Sequence, residues 1–324
     1  MATLTDVETT PKRIGIRSEV PLAEPASRGL QAARVLSAIL VGLLATASGA
    51  GLFLDDVYQD PAPVAAMFRG YDLVALLIIA PLLAVTLLPA LRRSVRAQLL
   101  WTGGLAYAVY HSSLYVFGTE FNDIFLVHVA VFSLSVFAFG LAIANLDVPG
   151  IARRFRDRTP ARSIAAILLL LAATLAVFWI SPSIRFAVTG EIPAEGSELI
   201  VPTATTHLGW VLDLSLLVPA YALAGVLLWR RAAWGFVLAT VVLVGGLEQQ
   251  VDYMTALVFQ ANSDIAGANG FDALEPVIAT LYLIGAVVLL TRIRGVEKEG
   301  SHGDLSQDAR ISGGERDGNE TEIG

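Results

Sequence analysis

The chain contains no cysteine, and its only two lysines lie near its ends. Without cysteine, disulfides, thiolate metal sites and cysteine nucleophiles are excluded. Lys12 and Lys298 lie outside every apolar stretch, so no lysine within a membrane could hold retinal as a Schiff base. A Walker-type phosphate loop is also missing, and no soluble segment is long enough to form a kinase or ATPase domain.

Charge is scarce as well, and apolar residues dominate. Only 16% of the residues are charged and 55% are hydrophobic, with a mean hydropathy of +0.65. Soluble domains carry about 25% charged residues. The apolar residues form long runs, and a helix needs roughly 20 of them to cross the hydrocarbon core. We therefore predict an all-α fold, a polytopic bundle of transmembrane helices.

The apolar runs predict eight spans joined by short links. Residues 1–28 form a polar tail, residues 29–294 form the membrane domain, and residues 295–324 have the composition of a disordered tail. The predicted spans are 35–54, 71–91, 98–118, 124–146, 163–183, 205–229, 235–258 and 272–291.

Basic residues occupy every second link, which predicts the orientation of the chain. Twenty of the 22 lysines and arginines lie in the tails and in the links after spans 2, 4 and 6, and only Arg69 and Arg185 lie on the other side. Lys and Arg are retained on the cytoplasmic side. Both termini are therefore expected in the cytoplasm, and the protein is expected in the cell membrane. Its surroundings are then the lipid bilayer, and no nucleic-acid binding is expected.

Two pairs of spans are candidates for a parallel repeat of four spans plus four, and chance resemblance between apolar segments is the alternative. Span 2 reads GYDLVALLIIAPLLAVTLLPALRR and span 6 reads GWVLDLSLLVPAYALAGVLLWRR, each with an early Asp, a proline within the span and a final arginine pair. Spans 4 and 8 also begin alike, with FNDIFLVHVA and FDALEPVIAT. Halves of this kind would be related by an axis along the membrane normal, as in some transporters.

Five acidic residues in or beside the spans are candidate ligands for an ion or a small solute. Ionisable groups in hydrocarbon are costly and are functional candidates. Asp213 lies within span 6, and Glu248 and Asp252 lie four residues apart on one face of span 7. Asp72 and Asp123 lie near the outer ends of spans 2 and 4, where a helix-capping role is the alternative.

His111 and His128 form a second candidate site, for a metal, a haem or a proton relay. They lie at similar distances before and after Glu120 in the short link between spans 3 and 4, so a helical hairpin would place both at the same depth. Tyr107, His111 and Tyr115 share one helical stripe. Unrelated hydrogen-bonding roles are the alternative, and no H-E-x-x-H spacing favours zinc.

The stretches GYDLVALLIIAPLL, YVFGTEFNDIFLVHVAVFSLS and VLDLSLLVP resemble bacterial multi-pass membrane proteins of unassigned activity. The resemblance implies a membrane fold and no residue roles. Three functions are then open: a small-solute or cation permease with an outward-facing acidic pocket, a non-catalytic partner or sensor subunit bound to another membrane protein, and an embedded metal or haem enzyme. The permease is the leading prediction, a non-enzymatic role is favoured, and the cofactor is left unassigned.

Overall fold

The computed structural model describes residues 27–191 and 198–294, which form eight long helices and the short helix Val148–Arg153, with no β-strand among them. The predicted tails lie outside these ranges, apart from residues 27 and 28. The long helices are α1 (Arg28–Phe53), α2 (Ala62–Val74, Ala75–Ile79 and Ala80–Thr86), α3 (Val95–Gly118), α4 (Phe125–Ala144), α5 (Ala161–Thr189), α6 (Thr203–Leu212, Asp213–Leu217 and Val218–Trp229), α7 (Ala233–Ala261) and α8 (Leu274–Thr291).

Seven of these helices, all except α3, are long and apolar enough to cross a membrane. This result is compatible with the predicted integral membrane protein and its all-helical fold. Helix α3 has 24 residues and corresponds to the third predicted span. It is less apolar because it directs polar side chains inwards, and Thr102, His111, Ser112 and Ser113 are all buried. A helix surrounded by other helices needs no apolar face towards lipid, which is why hydropathy alone does not identify it.

The arginine-rich links meet at one end of the bundle. The Arg96 side chain, at the start of α3, donates a hydrogen bond to the Leu290 carbonyl at the end of α8 (2.9 Å). Arg231, between α6 and α7, donates to the Thr159 carbonyl between α4 and α5 (3.1 Å). The contacts bring together links far apart in sequence, and they satisfy carbonyls near helix ends.

The acidic links meet at the opposite end. The Glu120 amide between α3 and α4 donates to Asp60 Oδ1 between α1 and α2 (3.0 Å). Near the end of α7, Gln260 Nε2 donates to the carbonyls of Pro63 (2.8 Å) and Ile200 (2.9 Å). Consecutive long helices therefore run in opposite directions through the bundle.

Helices α2 and α6 share a local distortion. Each has a five-residue π-helical segment, Ala75–Ile79 in α2 and Asp213–Leu217 in α6. In each helix a proline, Pro81 or Pro219, lies two residues beyond that segment. Proline lacks the N–H that the preceding turn would use, so a widened turn is a natural accommodation. Such turns often occur at functional sites, and here they lie in the second and the sixth long helix.

Helices α3 and α7 cross at glycines near the centre of the bundle. A Cβ added to Gly103 would lie 2.7 Å from Val244 Cβ, and one added to Gly245 would lie 3.4 Å from the Gly103 carbonyl oxygen. Only glycine allows so close an approach of the two backbones. The crossing places polar residues of α3 against carboxylates of α7.

Candidate functional site

A buried carboxylate, Asp72, accepts hydrogen bonds from two tyrosines on the acidic side of the bundle. Asp72 lies in α2 and is 1% exposed. Its Oδ2 accepts from the Tyr58 hydroxyl (2.5 Å) and its Oδ1 accepts from the Tyr115 hydroxyl (3.0 Å). The carboxylate thus joins α2, α3 and the link before α2, which a helix-capping role would not do.

Tyr58 belongs to the link between α1 and α2 and remains the hydrogen-bond donor. Burial, followed by the nearby Asp72 carboxylate, raises the pKa of the Tyr58 phenol well above its ordinary value. The phenol therefore keeps its proton over the physiological range and donates a hydrogen bond to Asp72. Because Tyr58 lies outside the helices, it connects the buried carboxylate with the acidic links.

The second buried carboxylate, Asp252, is paired with His111. His111 Nδ1 lies 2.9 Å from Asp252 Oδ2, and the Tyr107 hydroxyl donates to the same carboxylate oxygen. The Tyr107 hydroxyl is also 2.8 Å from His111 Nδ1. His111 and Asp252 are 2% and 4% exposed, so the pair is shielded from solvent. One turn of α3 and one turn of α7 build this triad across the glycine crossing.

A small cavity lies between the Asp72 group and the His111 group. It measures about 10 Å³, which is room for one water molecule. Its polar lining comes from four helices: Ser48 of α1, Asp72 of α2, His111, Ser112 and Tyr115 of α3, and His128 of α4. The ring of Tyr115 lies between the two histidines, with centroids 4.9 Å from His111 and 5.0 Å from His128. The two histidines, which the predicted hairpin places at equal depth, line the same cavity.

His128 is the least satisfied polar side chain of this group. It is 3% exposed, and neither ring nitrogen has a hydrogen-bond partner among the described residues. A neutral imidazole carries one donor and one acceptor, and burying both unpaired is costly. His128 lines the water-sized cavity, so a water there would supply the missing partner.

Glu248 lies near the midpoint of the 29-residue helix α7, one turn before Asp252. It is 6% exposed, and neither of its carboxylate oxygens has a hydrogen-bond partner within the described ranges. Asp252 Oδ1 is likewise buried without a partner there. A Cβ built on Gly104 would lie 3.7 Å from Glu248 Oε1, so the carboxyl lies beside the glycines of α3.

Asp213 forms a separate group at the π-helical segment of α6. Its Oδ1 accepts from the Tyr110 hydroxyl and its Oδ2 from Trp179 Nε1, both at 2.8 Å. Asp213 is 7% exposed, and these bonds join α6 to α3 and α5. Unlike Glu248, it has a donor at each oxygen, and it does not line the cavity beside Asp72.

Asp123 lies apart from all these groups. It is exposed in the turn before α4, where the neighbouring Asn122 side chain accepts a hydrogen bond from the Ile124 amide (3.2 Å). The sequence predicted an outward-facing pocket, whereas Asp72, Asp252 and Glu248 are enclosed, and the space beside Asp72 has room for only one water. Among the described residues, no group of three or more His, Asp or Glu side chains is placed to hold a metal ion.

Several residues of the site are not evident from sequence. Tyr107 and Tyr115 follow from the helical stripe with His111, but nothing local marks Tyr58, Tyr110 or Trp179. Their hydrogen bonds to Asp72 and Asp213 span 14, 103 and 34 residues of chain. The only sequence signal available was that an aspartate within an apolar run needs hydrogen-bond donors such as tyrosine or tryptophan. The spacing of these residues along the chain does not show which of them pair.

The chain was compared with protein-family models, with curated proteins and with solved structures, and none of them matches it.

Proposed function

We propose that the protein is a small-solute or cation permease of the cell membrane, in which Glu248 and Asp252 bind the transported or coupled ion. The carrying observation is Glu248, whose two buried carboxylate oxygens have no partner in the described part of the chain. A charge buried without a partner costs several kcal/mol, so this carboxyl is stable only with a proton or a cation. An ion site at mid-membrane is the arrangement that transporters use.

The proposal includes eight spans, with α3 as the span that hydropathy misses and both termini cytoplasmic. The meeting of the arginine-rich links at one end of the bundle and of the acidic links at the other supports it. The first and last described residues, Ser27 and Arg294, belong to the arginine-rich end: Ser27 donates to Asn145 Oδ1 (2.8 Å), and the Arg294 amide donates to the Arg154 carbonyl (2.8 Å). An even number of crossings accounts for this.

The repeat of four spans plus four is part of the same proposal. The π-helical segments Ala75–Ile79 and Asp213–Leu217 support it, because each lies close to a buried aspartate and is followed by a proline. Transporters built from repeats commonly interrupt corresponding helices beside the binding site. Asp72 in the first half and Asp213 in the second half would then occupy corresponding positions in the two repeats.

Two other functions fit the fold less well. An embedded metal or haem enzyme would use His111 and His128, but His111 Nδ1 is already occupied by Asp252, and the described residues offer no third ligand of the usual kind. A partner or sensor subunit would use intramembrane polar groups to pair with another protein, whereas Asp72, Asp252 and Glu248 face the interior of this bundle.

The test is a thermal-unfolding panel on the full-length protein in detergent. Melting temperature is measured with Na⁺, K⁺ or Li⁺ against choline at constant ionic strength, and across pH with no metal cation. A site filled at one hundred times its Kd stabilises the fold by about 2.7 kcal/mol. We expect an ion- or pH-dependent shift in wild type that Glu248→Gln abolishes. The matched control is Glu120→Gln, which changes an exposed glutamate in a link.

The same variants are then compared in proteoliposomes for uptake of the ion that stabilises the wild type. Loss of uptake in Glu248→Gln and Asp213→Asn, with Glu120→Gln unaffected, would support the permease. Equal thermal responses in wild type and Glu248→Gln would overturn it. Recovery of the protein only as a stable complex with a second membrane protein, without any response to ions, would favour the partner subunit.

A further inference from the structure

Resting on the proposed permease, we propose that its ion is the proton, and that protons reach Glu248 from the outer side through one water molecule held by His128 between Asp72 and His111. The water site is the cavity of about 10 Å³ between α1, α2, α3 and α4. The structure assigns that site by its lining rather than by any bound molecule. The proton path deepens the permease proposal, because it names the ion and the residues that conduct it.

The cavity is built as a water site rather than as a packing defect. Empty cavities in proteins are lined by apolar side chains, whereas a stable water needs two to four polar partners. Ser48, Asp72, His111 and His128 are among the residues that line this cavity, beside apolar residues such as Leu44 and Val131. His128 is the decisive member, because both of its ring nitrogens are buried and unpaired among the described residues. A water that hydrogen-bonds to His128 removes part of the free-energy cost of burying its ring nitrogens without partners.

The outer half of the path is already hydrogen-bonded. Tyr58, in the link before α2, donates to Asp72 Oδ2, and Tyr115 donates to Oδ1. Each carboxylate oxygen keeps a second lone pair, so Asp72 can also bond the cavity water. Asp72 is therefore placed to take up a proton near the outer links and to pass it to the water.

The inner half of the path runs through His111. His111 Nδ1 is engaged by Asp252 Oδ2, and His111 also lines the cavity, so Nε2 is the remaining ring nitrogen that can bind the water. A proton arriving from the water binds Nε2, and the proton on Nδ1 passes to Asp252 Oδ2, so the imidazole ends neutral. The net change is one proton moved from Asp72 to Asp252.

Asp252 then shares the proton with Glu248, one helical turn further into the membrane. Asp252 Oδ1 and both Glu248 oxygens are the unpaired atoms at this point of the described structure. Two carboxylates at this spacing do not both ionise readily when buried, which favours one shared proton. Glu248 lies near the middle of α7, so the relay delivers a proton from the outer side to mid-membrane and stops there.

The titratable groups that face His111 come from four helices of the bundle. They are Tyr71 and Asp72 of α2, Tyr107 and Tyr115 of α3, His128 of α4 and Asp252 of α7. No lysine or arginine is among them. His111 thus lies between two carboxylates, Asp72 across the cavity and Asp252 on α7, which is the arrangement that the relay requires.

The experiment follows hydrogen–deuterium exchange of the Glu248 carboxyl by infrared spectroscopy of the full-length protein in lipid. The Glu248 carboxylic C=O band is identified by its loss in Glu248→Gln. His128→Phe removes the ligand of the water, and Ala47→Val fills the cavity from α1 and keeps His128. His128→Gln keeps one donor and one acceptor, and Asp264→Asn is an exposed control.

We expect exchange to slow by about a hundredfold in His128→Phe, the lower range of what a positioned proton-transfer group contributes. Ala47→Val should slow it likewise, which covers the case in which His128→Phe fails to fold, whereas His128→Gln and Asp264→Asn should exchange at rates close to wild type. Wild-type exchange rates in both His128→Phe and Ala47→Val would overturn the relay.

The two proposals fail separately. If metal ions shift the melting temperature through Glu248 while filling the cavity leaves the exchange rate unchanged, the permease stands and the proton relay is wrong. If exchange depends on the cavity while neither ions nor pH act through Glu248 on melting or uptake, the water path stands and the permease is wrong.

Discussion

His111 Nδ1 and Asp252 Oδ2 lie 2.9 Å apart in the interior of the bundle, although 141 residues separate them in the chain. The pair fixes α3 against α7 and gives each polar group a partner that neither helix could supply alone. Since both residues are almost completely buried, water cannot replace a lost partner. The pair is therefore expected to contribute to folding as well as to any ion chemistry.

A double-mutant cycle should show this coupling directly. We expect Asp252→Ala and His111→Phe each to lower the free energy of unfolding by about 1–3 kcal/mol, because each leaves a buried polar partner unsatisfied. The double variant should lose less than the two single losses combined, with a coupling energy of about 0.5–3 kcal/mol. Reversible unfolding in mixed micelles measures the four free energies. Additive losses would contradict the pairing, and Asp264→Ala combined with His111→Phe gives the additive control, since Asp264 is exposed.

Gly51 should be required for the Asp72 group. A Cβ at position 51 would collide with Asp72 Oδ2 and would lie 2.5 Å from the Tyr58 hydroxyl oxygen. We expect Gly51→Ala to lower the free energy of unfolding by about 1–3 kcal/mol, the usual cost of overpacking. Gly49→Ala is the matched control, because nothing lies within 4 Å of a Cβ built there. Equal stability of the two variants in thermal unfolding would show that Gly51 does not accommodate the Asp72 carboxylate.

Asp60, in the link between α1 and α2, should make stability depend on pH. Burial raises the pKa of Asp60 above its ordinary value of 3.8, although the hydrogen bond from the Glu120 amide acts in the opposite direction. A raised pKa means that the fold favours the protonated form, so this contribution is largest below the unfolded pKa and is lost as pH rises through the folded value. We expect wild type to lose stability relative to Asp60→Asn between about pH 4 and neutrality.

Melting curves of both proteins from acid to neutral pH would measure this difference. The exposed neighbour Asp55→Asn serves as the control and should follow wild type. A wild type that gains stability over Asp60→Asn as pH rises would reverse the sign and exclude this account.

The absence of cysteine makes the eight-span proposal directly testable, since any introduced cysteine is the only one present. We expect a membrane-impermeant maleimide added to intact cells to label Ser263→Cys, in the link before α8, and to leave Asp157→Cys, in the link after α4, unlabelled. Both positions are exposed, so access through the bundle does not explain a difference. Permeabilised cells should label both equally. Labelling of both sites in intact cells would overturn the topology.

Much of the fold could be predicted from sequence, because in a bilayer the requirement for internal hydrogen bonding leaves few choices. Long apolar runs predicted seven helices that the structure also identifies, and the eighth run matches α3 in position. The structure shows which helices meet at glycines, because α3 and α7 cross at Gly103 and Gly245. Span 7, predicted at 235–258, is part of a continuous helix from Ala233 to Ala261, and its polar residues Glu248 and Asp252 are buried.

The candidate site was only partly predictable, for a geometric reason. Residue type and depth identified Asp72, His111, His128, Asp213, Glu248 and Asp252, because an ionisable side chain inside an apolar run is costly and therefore conspicuous. The same criterion also selected Asp123, which lies exposed in a turn. Depth along a helix is encoded locally, but the direction that a side chain faces depends on which helices surround it.

The sequence by itself therefore determined that the chain forms apolar helices, which of its links are basic, and which ionisable residues lie within the apolar runs, since each of these follows from local composition. Only the tertiary structure decided that Asp72 is held by Tyr58 and Tyr115, that Asp252 pairs with His111, and that Glu248 is left without a partner among the described residues. Those relationships depend on helix rotation and packing, which bring together side chains from distant segments and enclose them away from water.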